Sequence, residues 1–84
     1  MYNLSSDEKR KLKENGFKVS EIGNGILVEK AKLMIQVINC DTGTMIIGEE
    51  RSVLCKEIIC MNPKKDEIEI SVKIDKEDKM LKFK

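Results

Sequence analysis

The sequence predicts an α+β domain that is mostly β. A short N-terminal helix is followed by a five- or six-stranded antiparallel meander. Three observations carry this. Residues 5–16 hold a complete set of helix start and stop signals. The apolar period then changes from helical to two. Gly, Asn and Asp recur between the alternating runs, where chain reversals need them. A small SH3-like or Sm-like barrel and an open sheet with the helix across one face both fit this element order.

The helix is expected over about 6–15. Ser5 and Glu8 have capping-box spacing, and Asp7 and Glu8 sit where the helix dipole is positive. Asn15-Gly16 ends it, with Gly16 able to take a left-handed conformation and Phe17 able to fold back onto Leu12. Phe17 and Val19 then alternate with Lys18 and Ser20. Gly23-Asn24-Gly25 reads as a hairpin turn with Asn24-Gly25 at its centre.

Residues 26–39 contain no Gly, Pro or Asp and no interior Asn, and read as one long bent strand. Leu27, Ala31, Leu33, Ile35 and Val37 would form its apolar face, with Met34 and Ile38 suggesting cover on both sides of the second half. Cys40-Asp41-Thr42-Gly43 is a turn and Thr44–Gly48 a returning strand. Residues 49–62 are ambiguous between strand and helix because neither period yields a clean apolar face; the β-branched residues around Val53 and Ile58-Ile59 favour strand. Ile68, Ile70, Val72 and Ile74 alternate with Glu67, Glu69, Ser71 and Lys73, the clearest strand in the chain, and Leu81 and Phe83 continue its inward face on the return.

The 84 residues carry 16 Lys and Arg against 15 Asp and Glu, a net charge of +1, with no His and no Trp. This length holds one core and one domain, residues 1–84. A near-neutral chain has no global field to draw it to nucleic acid or membrane. The N-terminus MYNLSSDEKRK has no apolar export segment, and no apolar run approaches a membrane span, so a cytoplasmic protein with reduced thiols is expected. Fourteen lysines against two arginines, with abundant Ile, is the bias of an AT-rich genome.

Without His, Cys–His and Ser–His catalysis within one chain are excluded. Cys40, Cys55 and Cys60 supply three thiols where structural zinc needs four ligands at tight spacing, so no metal or other cofactor is expected; the thiols read as small buried hydrophobes, with Cys40 near a turn. Asp41-Thr42-Gly43 is the triplet with which dimeric aspartic hydrolases share a proton between two carboxylates. The polar residues Asn39 and Cys40 before it, and the short chain after it, favour a plain turn.

Lys9, Arg10, Lys11 and Lys13 are the candidate nucleic-acid contacts, on a helix flanked by Asp7, Glu8 and Glu14. The chain has one Tyr and two Phe for base stacking, which makes a solvated helix face the simpler reading. The expected function is therefore a non-enzymatic protein-binding module. It would be a small regulator or inhibitor, of the size and composition carried by phages and mobile elements, acting by occupying a partner protein's surface. Glu67, Glu69 and Lys73 are its candidate contacts, and a homodimer is compatible with so small a core. A small nucleic-acid-binding barrel is the alternative, and a dimeric aspartic hydrolase the third reading.

Overall fold

A computed structural model describes residues 2–84. The order is α1 (Ser6–Glu14), β1 (Lys18–Ile22), β2 (Gly25–Lys30), β3 (Leu33–Cys40), β4 (Gly43–Ile47), β5 (Ser52–Cys55), β6 (Glu57–Pro63), β7 (Ile68–Ile74) and β8 (Glu77–Phe83). Two open antiparallel meanders result, a five-stranded sheet β1-β2-β3-β4-β5 and a three-stranded sheet β6-β7-β8. Their inner faces share one core of Val28, Ile35, Val37, Ile46, Cys55, Ile58, Met61, Ile68, Ile70, Val72 and Phe83, which Leu12 and Phe17 complete from the helix end. The mostly-β class with one N-terminal helix is as the sequence predicts.

The helix forms through the signals that announce it. The Ser5 hydroxyl accepts the Glu8 N–H, the Glu8 carboxylate accepts the Ser5 N–H, and Leu12 is its one buried residue. It ends one residue early, with Asn15 as C-cap, and the Phe17 N–H donates to the Leu12 carbonyl at 2.8 Å. It packs against both β1 and β6, bridging the gap between the two sheets.

There are eight strands rather than five or six, because two expected elements divide. The long strand over 26–39 is a hairpin: Lys30 pairs with Leu33 around Ala31-Lys32. Ala31 takes φ +52°, a left-handed conformation that nothing in an Ala-Lys pair announces. The turn resets the phase, so Val28 and Ile35 face the core together, and Leu27, expected inside, points out. Lys30 braces this hairpin by donating to the carbonyls of Asn15 and Lys65.

Within residues 49–62, ambiguous in the sequence with strand favoured, the chain forms β5 and β6 (which runs on to Pro63), separated by the single residue Lys56. A bulge at Ile59, between Ile58 and Cys60, then shifts the register of β6 on β7. Ile58 and Met61 face inward across two exposed residues, Ile59 and Cys60. A corner and a bulge within six residues erase any single period, which is why this segment resists a periodic reading.

The first hairpin turn also lies one residue earlier than the Asn-Gly signal implies. Ile22 pairs with Gly25, so Gly23-Asn24 is the loop and Gly25 is in the strand. A Cβ at Gly25 would lie 1.9 Å from the Val37 carbonyl oxygen, so glycine is needed there for close approach to β3. The last turn is also a two-residue one: Asp75-Lys76 form the loop, and Glu77 and Asp78 already belong to β8.

Ile70 is wholly buried at the centre of β7, between Met61 on β6 and Leu81 on β8. Ile70→Ala is expected to cost about 2–5 kcal/mol, read as a lower denaturant midpoint. Glu69→Ala is expected to lower the midpoint far less, since it breaks ion pairs with Lys64 and Lys82 on the outward face rather than core. Equal losses from the two variants would show that the β7 alternation does not set the core.

Candidate functional site

Antiparallel register assigns every strand residue to one face of its sheet. On the outward face of the five-stranded sheet, one row crosses the strands as Ile22, Gly25, Ile38, Met45 and Leu54. The next row is Ser20, Leu27, Gln36, Ile47 and Ser52. These ten positions carry no charge, in a chain of which 37% is charged. Leu54 is 48% exposed, neighbouring Met34 44%, and Ile22, Leu27, Ile38, Met45 and Ile47 are half-buried. The cover expected over Met34 and Ile38 is not there: none of these side chains belongs to the core cluster or packs against it.

At about 4.8 Å between strands and about 3.4 Å per residue, the two rows span roughly 24 by 14 Å. That is about the size of the largest apolar patch on an ordinary monomer, a patch often functional. It is well below the roughly 800 Å² per side of a standard stable interface.

The outward face of the three-stranded sheet is its opposite in character. Its rows are Glu57, Lys73, Asp78 and Asn62, Glu69, Lys82, with Cys60, Ser71, Met80 between them. The candidate contacts read from the sequence lie here. Glu69 does not face free water: its side chain is only 12% exposed, with Lys64 Nζ at 3.1 Å and Lys82 Nζ at 3.7 Å. The hydrogen bond from Lys64 and the charges of both lysines hold its carboxyl below the ordinary value. Lys73 stands in register between Glu57 and Asp78, and Glu67, just before β7, has one carboxylate oxygen enclosed without a partner.

The basic residues do not gather into one patch. Arg10 is held by Asp7 at 3.1 Å and Glu14 at 3.9 Å. Lys9 and Lys13, one turn apart, line a shallow cleft with Asn3, Leu4, Val19, Glu21 and Ile26, and Lys11 is exposed apart from it. Asp41 and Thr42 are the exposed loop of the β3–β4 hairpin, since Cys40 pairs with Gly43. Gly43 has φ +150°, and a Cβ there would lie 2.3 Å from the Cys55 carbonyl oxygen. Backbone packing against β5 thus accounts for this glycine without any catalytic role.

Cys55 is the one buried thiol, bonded to the Thr44 carbonyl at 3.3 Å and pushed up in pKa by burial. Cys40 and, against expectation, Cys60 are exposed. Among the described residues no three His, Cys, Asp or Glu side chains are grouped to hold a metal, and no helix is long and apolar enough to cross a membrane.

One polar cluster went unforeseen. The Glu8 carboxylate accepts the Tyr2 hydroxyl at 2.8 Å and the Met61 N–H at 3.0 Å besides its capping bond. Asn39 grips the Tyr2 backbone from the other side, its Oδ1 accepting the Tyr2 N–H and its Nδ2 donating to the Tyr2 carbonyl. Desolvation would raise Glu8, but the hydrogen bonds from Ser5, Tyr2 and Met61 outweigh it and hold its carboxyl below the usual range. Burial, then the bond and charge of Glu8, push the Tyr2 phenol above its ordinary value.

No family model, curated protein or solved structure matches the chain, so its own geometry is what bears on function.

Two measurements check this geometry. Glu8, lowered by folding, stabilises the protein above its unfolded pKa of about 4.3, and that contribution disappears as pH falls through the folded value. Tyr2, raised by folding, contributes fully below about 10 and progressively less as pH climbs beyond it. Glu8→Gln is therefore expected to flatten the acid limb of a stability–pH curve, and Tyr2→Phe the alkaline limb; unchanged limbs would deny the cluster its role. A thiol reagent should modify Cys40 and Cys60 quickly in native protein and Cys55 only on unfolding. Rapid reaction of all three would contradict the burial of Cys55.

Proposed function

We propose that this protein is a non-enzymatic protein-binding module, a small regulator or inhibitor that acts by covering a partner protein's surface. Its docking face is the patch of ten uncharged positions on the outward face of the five-stranded sheet, bordered by Lys18 and Glu29, rather than the Glu67, Glu69 and Lys73 region. The observation that carries this reading is the absence of any charge from ten adjoining outward positions, while the other sheet's outward face carries Glu57, Glu69, Lys73, Asp78 and Lys82. Solvated faces gather charge, and contiguous uncharged ones serve contact. The small footprint suits a transient contact, and a partner surface of matching apolar, uncharged character fits it. Phage or mobile-element origin and a cytoplasmic setting belong to the same proposal, on composition alone.

A photo-crosslinking residue at position 54, with position 73 as control, identifies the partner in the source cell, and the purified partner is then titrated. Leu54→Lys places a charge at an exposed position and is expected to leave the melting temperature almost unchanged. It should weaken binding about tenfold or more, because a charge must then be desolvated in an apolar contact. Binding should vary little with salt. Crosslinking from position 73 alone, or affinity for nucleic acid that collapses as salt rises, would overturn the proposal.

A further inference from the structure

The two meanders leave four terminal strands. β5 is only four residues long and turns into β6 at Lys56. The outer edge of β6 is closed: its Met61 N–H is taken by Glu8, Pro63 has no N–H, the bulge interrupts it and α1 packs against it. α1 also packs against β1. β8 is different, a seven-residue strand paired on one side only.

The hydrogen-bonding phase of β8 follows from its turn. Glu77 closes a two-residue hairpin with Ile74, so Glu77, Lys79, Leu81 and Phe83 direct their backbone groups to β7. Asp78, Met80 and Lys82 direct theirs away from it. The Arg51 guanidinium confirms this phase by donating to the Lys82 carbonyl from the open side, stacked over the Phe83 ring at 4.6 Å. The side chain of Met80, at the middle of this edge, is 56% exposed.

We propose that β8 is a self-association edge: two copies of the chain pair antiparallel through it, about a two-fold axis at Met80, to make a continuous six-stranded sheet. The register argues for a second copy over an unrelated strand. Backbone phase allows two-fold axes only at whole residues of the strand. An axis at Asp78, Lys79 or Lys82 sets that charge against itself, and one at Leu81 leaves two residues of β8 unpaired. An axis at Met80, the midpoint of Glu77–Phe83, pairs all seven. It also sets Asp78 opposite Lys82 of the second copy, twice, and Met80 against Met80 on the same outward face. A charged edge that would repel a random strand is thus complementary to itself. The Asp78 N–H of the second copy takes over the Lys82 carbonyl from Arg51, so Arg51 must move aside on pairing. This contact lies on a different sheet from the docking face proposed above and stands or falls separately.

Sedimentation equilibrium of the full chain, from micromolar to millimolar, tests it. A monomer–dimer equilibrium is expected. Met80→Pro removes an N–H that points away from β7, so it should keep the fold and abolish the dimer. Asp78→Lys replaces two opposite-charge pairs with two like-charge pairs and should raise the dimer dissociation constant about tenfold or more. Adding Lys82→Asp to Asp78→Lys should restore association, which also serves if Met80→Pro does not fold. A chain that stays monomeric at millimolar concentration overturns the proposal. So does a dimer indifferent to Asp78→Lys, or one that Leu54→Lys dissolves and Met80→Pro spares.

Discussion

The fold depends on one corner. At Lys56 the chain leaves the five-stranded sheet and enters the three-stranded one with no loop between them. Cys55 is still in register with Thr44, while the Lys56 N–H already donates to the Lys73 carbonyl on β7 at 2.8 Å. One residue thus ends one ladder and begins the other, and the second meander folds over the first so that both inner faces meet. Several local choices follow. Gly43 must be glycine because the β4 backbone lies so close to the Cys55 carbonyl at this corner. Cys55 is buried at this corner, where a thiol packs as a small hydrophobe. The bulge at Ile59 then re-aims β6, so that Met61 and Pro63 return to the core after the bend.

Bending one chain into two open sheets leaves a gap between β1 and β6, and the N-terminal segment fills it. Leu12 and Phe17 supply the apolar part of the closure, and Glu8 supplies the polar part. A carboxylate with three donors can sit half-enclosed because each hydrogen bond to its charged form offsets lost hydration. Tyr2 is held on both sides, by Glu8 at its hydroxyl and by Asn39 at its backbone. The Asn39 side-chain amide presents the same acceptor and donor pair as a strand backbone, so it prolongs the sheet by one residue without a further strand. Its polarity, which on the sequence weighs against a catalytic Asp41-Thr42-Gly43, has this structural use.

Where one periodicity persisted, the sequence was legible: the capping box with its stop, and β7 with Ile68, Ile70 and Val72 inward, are as the residues predict. What escaped the sequence has three physical sources. Ala31 adopts a left-handed φ with no residue type to announce it, so one hairpin was hidden inside an apparent strand. The corner and the bulge broke the period of residues 52–63 twice. The Tyr2–Glu8–Met61 cluster depends on a bond between Glu8 and Met61, 53 positions apart and beyond any local pattern. The proposed docking face did leave a signal. Residues 22–28, 33–40, 42–48 and 52–55 are all free of charge, in a chain otherwise dense with it. Of these, the run through Met34 and Ile38 read as a strand covered on both sides, and the structure covers it on one.

That uncovered side bears on function because stability does not require it to be apolar. Cross-strand apolar pairs do help a sheet, by about 0.2–1 kcal/mol each, and Ile38 beside Met45 is one. If strand stability selected these residues, however, the β-branched and aromatic types would dominate the exposed positions, since they hold the highest strand propensity. The exposed large apolar side chains of this face are instead Leu54 and Met34, which are neither. Threonine there would serve the strand and keep the surface polar. Leu and Met offer what Thr does not, flexible apolar volume that adapts to an apposed surface. Folding accounts for the inner face of this sheet, and the choice of Leu and Met on the outer one is what supports the proposal of contact with another protein.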